Sequence, residues 1–144
     1  MSSRATQKVA MLMGGLSAER EVSLVSGREC AAALRGEGFE VIELDAGADL
    51  AQRLEDLRPD VAFNALHGRW GEDGAVQGLL EWLKIPYTHS GVLASALGMD
   101  KQRSKKAFVE AGLPVVDSKI VAKSDAASQF LLPAPYVIKP DRKS

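Results

Sequence analysis

The stretch that most constrains the fold is a short apolar run that meets two glycines and continues into an amphipathic segment. Residues 9–13 are apolar, Gly14 and Gly15 follow, and residues 16–23 mix polar and apolar side chains. An apolar run of this length bounded by glycine is typical of a buried parallel strand, and glycine permits a tight turn that a side chain would block. We therefore predict a strand–turn–helix unit whose loop lies at the carboxyl end of the strand, where open α/β sheets bind ligands.

The residues after the glycines have two interpretations. Ser17 is a good helix N-cap, and Glu19 and Glu21 lie where a helix N-terminus favours negative charge, so the stretch can be a tight crossover with capping carboxylates. Alternatively, Glu19 anchors the ammonium group of a small substrate. This stretch by itself leaves both interpretations open.

The composition fits one α/β domain with the start of a second. Of the 144 residues 46% are hydrophobic, which is enough for a core, and the net charge is −1 with dispersed basic residues, so nothing indicates a nucleic-acid partner. The single cysteine, Cys30, excludes an internal disulfide and fits a reducing compartment. No apolar run has the length of a membrane span or of a secretory signal. We expect a cytoplasmic protein with no membrane partner.

Strands and helices are predicted to alternate along the first two thirds of the chain. The predicted order is strand 9–13, helix 18–34 ending at Gly36 or Gly38, strand 39–44, a helix with Leu50, Leu54 and Leu57, strand 61–66, a helix with Val76, Leu79, Leu80 and Leu83, strand 86–88 and helix 92–97. This order predicts right-handed crossovers and a doubly wound parallel sheet covered on both faces.

The composition changes after Gly98. Asp100 is predicted to cap a basic helix over 101–111, followed by an extended segment 115–121, a helix from Ser124 to 132 and a strand over 135–140. A strand with no later partner leaves an apolar edge, and these elements make a poor core. We therefore divide the sequence into a domain over 1–98 and the incomplete start of another over 99–144, and we expect the second part to be less ordered.

A second glycine-rich loop, residues 67–74, follows the third predicted strand and so belongs to the same rim as Gly14 and Gly15. A lone histidine is more often structural than catalytic. Here, however, His67 shares one loop with an arginine, two acids and three glycines, which favours function. No Ser/His/Asp triad can be assembled because a third partner is not identifiable, and no Cys/His spacing indicates zinc.

Two lysines, Lys101 and Lys139, stand at the start or end of predicted elements and are able to hold phosphates as point charges. The basic run 101–106 equally fits a solvated helix face, and we prefer that interpretation for most of its residues. Neither G-x-x-x-x-G-K-[ST] nor G-x-G-x-x-G is present, so any nucleotide site is of another type.

Taken together, several stretches resemble the D-alanine–D-alanine ligases of the ATP-grasp superfamily. The matching segments are 14–23, 67–74, 87–92, 94–101, 111–114 and 137–140, in the family's order and spacing. They cover nearly the whole chain, which makes the resemblance more specific than any one motif. The resemblance implies a Rossmann-like pre-ATP-grasp domain followed by the truncated start of an ATP-grasp domain.

The resemblance also implies a reaction. ATP phosphorylates the carboxylate of one D-alanine, and the amine of a second D-alanine attacks the acyl phosphate to form D-alanyl-D-alanine for peptidoglycan and hence for the cell wall and cell shape. Mg²⁺ and cationic side chains stabilise the developing charge. By position, Glu19 and His67 take the catalytic places: Glu19 fixes the first D-alanine's ammonium, Val22 and His67 lie beside it, and Glu72 supports the site. Lys101 and Lys139 take the places of the ATP phosphate lysines.

The remaining family parts are expected beyond this sequence. Residues 141–144 stand where the family continues into a Gly/Ser-rich loop, and the Mg²⁺-binding carboxylates, adenine site and second D-alanine pocket should follow, so we expect no metal ligand in this chain. The implied complete enzyme is a homodimer, and this N-terminal portion is inactive alone. The second substrate, D-alanine or a D-hydroxy acid, stays undecided.

The alternative function is that of a non-catalytic α/β module that binds a small molecule or partner. A signalling receiver is disfavoured because the first strand ends in Gly14 and Gly15 rather than in acidic residues.

Overall fold

The computed structural model describes residues 6–128 and 132–139. Its elements are β1 (Lys8–Met13), α1 (Arg20–Gly36), β2 (Glu40–Asp45), α2 (Leu50–Leu57), β3 (Val61–Asn64), α3 (Ala75–Trp82), α4 (Val92–Met99), α5 (Lys101–Glu110) and α6 (Lys123–Ser128). The predicted alternation of strands and helices is confirmed through α3.

The sheet is parallel, and β1 is its central strand in the order β2-β1-β3. On the outer side of β3 a single parallel bridge joins Ala62 to Tyr87. The prediction of a fourth strand over 86–88 is therefore wrong in length, because only this one bridge forms. The ladder stops there because the next amide, that of Asn64, donates to the Thr88 hydroxyl at 3.0 Å instead of to a backbone carbonyl.

Side chains of β1 alternate between two apolar layers, as the period of a strand requires. Ala10 and Leu12 face the layer that contains α2 and α3, with Leu54 and Leu80 fully buried. Met11 and its neighbours on the other face pack against α1. Helices cover both faces, so the predicted doubly wound α/β fold is confirmed.

Small residues let α1 lie close to the sheet. The buried positions of the helix are Ser23, Gly27 and Ala31, which are spaced four residues apart on one face. A Cβ at Gly27 would lie 2.5 Å from the Cβ of Met13, so no side chain fits between the helix and β1 at this point.

The predicted end of α1 and the predicted cap of α5 are correct. Gly38, with φ +90°, follows the last turn of α1, and the Asp100 carboxylate caps α5 by accepting the backbone N–H groups of Gln102 and Arg103 at 3.1 and 3.0 Å. Ser17 is not the N-cap of α1. Glu19 takes that position, and Ser17 Oγ accepts the Glu19 N–H at 3.1 Å in the turn before the helix.

The region after α3 differs from the sheet. Helix α4 packs on α5, and none of the described residues in 92–139 is buried. The predicted cap of α6 is wrong because the helix begins at Lys123 and Ser124 lies within it. Residues 135–139 form no strand, since no strand among the described residues lies beside them to accept their hydrogen bonds; Pro140 lies outside the described residues, as do 129–131 of the predicted sixth helix.

Candidate functional site

The two glycine-rich loops meet at the carboxyl edge of the sheet. Ser17 Oγ in the β1–α1 loop donates to the backbone oxygen of His67 in the β3–α3 loop at 2.7 Å. The central position of β1 beside β3 brings these loops together, because the carboxyl ends of parallel strands lie at the same edge. The predicted juxtaposition of the loops is confirmed.

The Glu19 carboxylate lies over Gly68. A Cβ built on Gly68 would be 2.7 Å from Glu19 Oε2 and 3.5 Å from Ser17 Oγ, and Gly68 has φ +70°. Glycine therefore serves this position in two ways, by allowing the backbone conformation and by making room for the carboxylate. The structure brings Glu19 and the His67 loop into one half-buried cluster.

The His67 ring lies between a hydroxyl and a carboxylate. Its Nε2 is 3.1 Å from Ser26 Oγ, and its Nδ1 is 4.0 Å from Glu72 Oε1. The other carboxylate oxygen of Glu72 accepts the Gly68 N–H at 2.7 Å, which ties Glu72 to the loop. Val22 lies on α1 between Glu19 and Ser26 in sequence and is 60% exposed.

Sequence reasoning missed Ser26. The signal was available, since Ser26 follows Glu19 by seven residues and Val22 by four, and both spacings place residues on one face of a helix. Ser26, His67 and Glu72 lie in one row, but the 4.0 Å separation between His67 Nδ1 and Glu72 Oε1 exceeds a hydrogen bond, so they do not form a Ser-His-acid triad.

Two buried amides hold the β3–α3 loop in place. Asn64 Nδ2 and Gln77 Nε2 both donate to the Gly71 carbonyl at 2.9 Å, and Asn64 Oδ1 accepts the Leu66 N–H at 3.1 Å. Sequence reasoning missed both amides. Their signal was a polar residue at the end of an apolar strand and another on an apolar helix face, positions that favour buried, hydrogen-bonded groups.

A salt bridge fastens the β1–α1 loop to the end of β2. Arg20 contacts both carboxylate oxygens of Asp45, with Nη1 donating to Oδ1 at 2.6 Å, and it also donates to the Gly15 carbonyl at 3.1 Å. The hydrogen bond from Arg20 lowers the pKa of the Asp45 carboxyl, and the N–H of Gly15 adds to this effect. A side chain at Gly14 would collide with this carboxylate, because its Cβ would be 2.3 Å from Asp45 Oδ1.

A cavity of about 330 Å³ lies beside the cluster, between the two loops and helices α2 and α3. Most of its lining is apolar, including Leu16, Leu50, Leu66, Trp70 and Leu79, and His67 also borders it. The rim therefore has a cluster of carboxylates and one imidazole next to an apolar cavity. This combination suits a small ligand with one charged group.

The two lysines lie later in the chain, after α4. Lys101 is the first residue of α5 and is half-buried, whereas Lys139 is exposed in a segment without regular structure. At the start of α5 the Asp100 carboxylate already accepts the N–H groups of Gln102 and Arg103. A phosphate at this helix end would therefore interact mainly with the charge of Lys101. Within 6–128 and 132–139, no group of three or more His, Cys, Asp or Glu side chains comes together in a way that could hold a metal ion. No helix in the described ranges is long and apolar enough to cross a membrane.

Comparison with known proteins gives one consistent result. A protein-family model described as "D-ala D-ala ligase N-terminus" matches residues 43–90. D-alanine–D-alanine ligases from Dinoroseobacter shibae and a Ruegeria species are each 71% identical, over 97% and 94% of this chain and 46% and 44% of their own length. The chain is therefore similar to the N-terminal portion of D-alanine–D-alanine ligases. It spans about half the length of the relatives it matches.

Structural comparison agrees with the sequence matches. A D-alanine–D-alanine ligase from Bacillus anthracis, solved in complex with ATP, superimposes with a TM-score of 0.67 at 41% identity. The superposition covers 76% of this chain and 36% of the ligase. The fold expected from the family resemblance is confirmed.

Proposed function

We propose that this chain is the substrate-anchoring part of an enzyme that joins two D-alanines through an acyl phosphate at the expense of ATP, for peptidoglycan synthesis in the cytoplasm. The observation that carries the proposal is the convergence of Glu19, His67 and Glu72 at Gly68, on the rim where this fold binds ligands. The similarity to D-alanine–D-alanine ligases supplies the reaction.

Each rim residue has a role that its position supports. Glu19 pairs with the ammonium of the first D-alanine, since its carboxylate lies at the open edge of the sheet beside the loop. Val22 contributes an apolar wall, which a methyl side chain requires. His67 contacts the substrate. Glu72 supports the site, because one of its oxygens accepts the Gly68 N–H and the other lies 4.0 Å from His67 Nδ1.

The nucleotide part of the proposal rests on Lys101 and Lys139, each of which supplies a positive charge to ATP phosphates. We assign no step of the reaction to a metal held by this chain. We place the boundary between the substrate domain and the ATP-grasp domain near residue 98, just before Asp100 caps α5. Like the family, the longer protein is proposed to be a homodimer.

The test uses a chimera in which residues 1–140 replace the corresponding part of the Dinoroseobacter shibae ligase. Glu19→Gln removes the charge that pairs with the ammonium, so kcat/KM for the first D-alanine should fall about tenfold or more, as for a lost charge-assisted hydrogen bond. Glu21→Gln is the matched control because Glu21 is an exposed acid in the same helical turn, and its kinetics should not change. Equal kinetics for both variants would return Glu19 to a capping role.

The polypeptide of residues 1–144 should by itself form no D-alanyl-D-alanine. It carries the substrate-side rim but covers only 46% of the length of its Dinoroseobacter shibae relative. Loss of the groups that stabilise charge on a transferring phosphoryl group costs several kcal/mol. The measurement is phosphate release with ATP, Mg²⁺ and D-alanine after stringent removal of host ligase. D-alanine-dependent turnover would show that the catalytic groups lie within this chain.

A further inference from the structure

The Ser26 hydroxyl joins helix α1 to the His67 ring, and it is outside the set of residues assigned to substrate above. Ser26 Oγ is 3.1 Å from His67 Nε2. It is also 3.0 Å from the backbone oxygen of Val22 and 3.3 Å from that of Ser23. Ser26 is half-buried on the helix face that carries Val22.

The hydrogen-bonding chemistry of the partners limits which atom can donate each hydrogen. A serine hydroxyl has one proton, and a backbone carbonyl accepts but never donates. The Val22 oxygen, at 3.0 Å, is the acceptor nearest to the Ser26 hydroxyl. With the proton directed there, the Ser26 oxygen accepts from His67, and the ring proton is then on Nε2.

We propose that Ser26 is a positioning residue for His67, which holds the ring in the Nε2–H tautomer and turns Nδ1 toward Glu72. A catalytic role for Ser26 rests on the proposed function, whereas its effect on the tautomer of the His67 ring does not. Without the hydroxyl, the neighbouring acceptor for a ring proton is Glu72 Oε1, 4.0 Å from Nδ1. The proton should then move to Nδ1.

The test is a measurement of histidine tautomers in the 144-residue chain by ¹⁵N NMR, under alkaline conditions in which histidine is neutral. The chain has two histidines, and the second is an internal reference. His89 Nε2 lies 2.9 Å from the Asn64 carbonyl, an acceptor, so His89 must also carry its proton on Nε2. Both histidines should therefore show the Nε2–H pattern in the unmodified chain.

Ser26→Ala should move the His67 pattern toward Nδ1–H and leave His89 unchanged. Ser26→Thr keeps a hydroxyl and should restore Nε2–H at His67.

Ser95→Ala is the matched control, because Ser95 also lies on an α-helix and its hydroxyl donates to a backbone carbonyl, that of Ser90, at 3.1 Å. Alanine favours helix, so Ser26→Ala should fold, and unchanged His89 signals will verify it. A His67 pattern that Ser26→Ala does not alter, or an Nδ1–H pattern in the unmodified chain, would overturn the proposal.

Kinetics of the chimera then separate this proposal from the proposed function. If His67 contacts D-alanine, Ser26→Ala should lower kcat/KM for the first D-alanine about two- to tenfold, as for one neutral hydrogen bond, and Ser26→Thr should recover it. A changed tautomer with unchanged kinetics would support positioning by Ser26 and contradict a substrate role for His67.

Discussion

Residues 8–88 and residues 92–139 share one chain but are built differently. The first region has a parallel sheet with apolar layers on both faces and fully buried side chains such as Leu54. In the second, the described residues are all at least partly exposed, and Val116 and Val137 keep 79% and 77% of their surface accessible.

The difference shows which region of this protein can hold side chains in precise positions. The rim loops grow out of the packed sheet, so the positions of Glu19 and His67 are fixed by buried neighbours. Lys101 and Lys139 lie in the region where none of the described residues is buried. Side chains held by packing can orient a small substrate, whereas lysines act on phosphates mainly as charges.

Hydrogen exchange should give the largest contrast between the regions. The Ala65 N–H donates to Leu12 O at 2.9 Å within the buried sheet edge, while Val137 lies exposed outside any sheet. We expect the Ala65 amide to exchange at least about a thousandfold more slowly than its unfolded rate, because it opens only with the core. Val137 should exchange near its unfolded rate. Equal protection of both amides, measured by NMR, would remove the contrast and indicate a packed second region.

Truncation of leucines should sharpen the same contrast. Leu54 is fully buried, and Leu93 is 73% exposed on α4. Leu54→Ala should lower the free energy of unfolding by about 2–5 kcal/mol, because it leaves a cavity in the core. Leu93→Ala, the matched control, should change it by less than about 0.5 kcal/mol. Urea denaturation followed by circular dichroism measures both, and similar losses would mean that α4 is part of the core.

Two glycines within the packed region should respond in opposite directions. A Cβ at Gly71 would lie 2.4 Å from the Leu66 Cβ, so Gly71→Ala must displace the loop that carries His67. We expect a loss of about 1–3 kcal/mol, as for overpacking. Gly78 in α3 has nothing within 4 Å of such a Cβ, and Gly78→Ala should stabilise by about 0.4–1 kcal/mol. If Gly71→Ala is as stable as Gly78→Ala, the loop is looser than the core beneath it.

Asp45→Asn should have the smallest effect and change mainly the pH dependence of stability. The pKa of Asp45 is lowered in the folded protein by Arg20, so the fold favours the charged form. This contribution is fully present above the unfolded pKa of about 4 and is lost as pH falls through the lowered folded pKa. The stability gap between the wild type and Asp45→Asn should therefore close in acid. Because both side chains are more than 40% exposed, the gap should be modest and should shrink in salt. A gap that is constant from neutral to acidic pH would show that the carboxyl charge is not its source.

Much of the fold could be predicted because its signals are local. The glycine pair after an apolar run predicts the first turn, and leucines at helical spacing predict α2, whose Leu50 and Leu54 are buried. The Asp100 cap is equally local, since a cap bonds to amides two and three residues away. The predicted neighbourhood of the two glycine-rich loops follows from the rule that parallel strands end at one edge.

The failures share a different cause. The predicted strands over 86–88 and 135–140 have suitable residues, but a strand exists only where another strand lies beside it to complete its hydrogen bonds. Thr88 offers its hydroxyl where a backbone carbonyl would have extended the ladder, and residues 135–139 have no neighbouring strand among the described residues.

The candidate site divides in the same way. The sequence by itself determined which chemistry-bearing residues belong to the two loops, Glu19 in one and His67 and Glu72 in the other, because they follow predicted strands directly. Only the tertiary structure decided that Ser26 contacts the His67 ring and that Asn64 and Gln77 share the Gly71 carbonyl. The first contact spans 41 residues, and the other two reach Gly71 from β3 and α3. Local patterns mark these residues as candidates but do not show which atoms they contact. Packing of α1 and α3 onto the sheet brings the partners within hydrogen-bond distance.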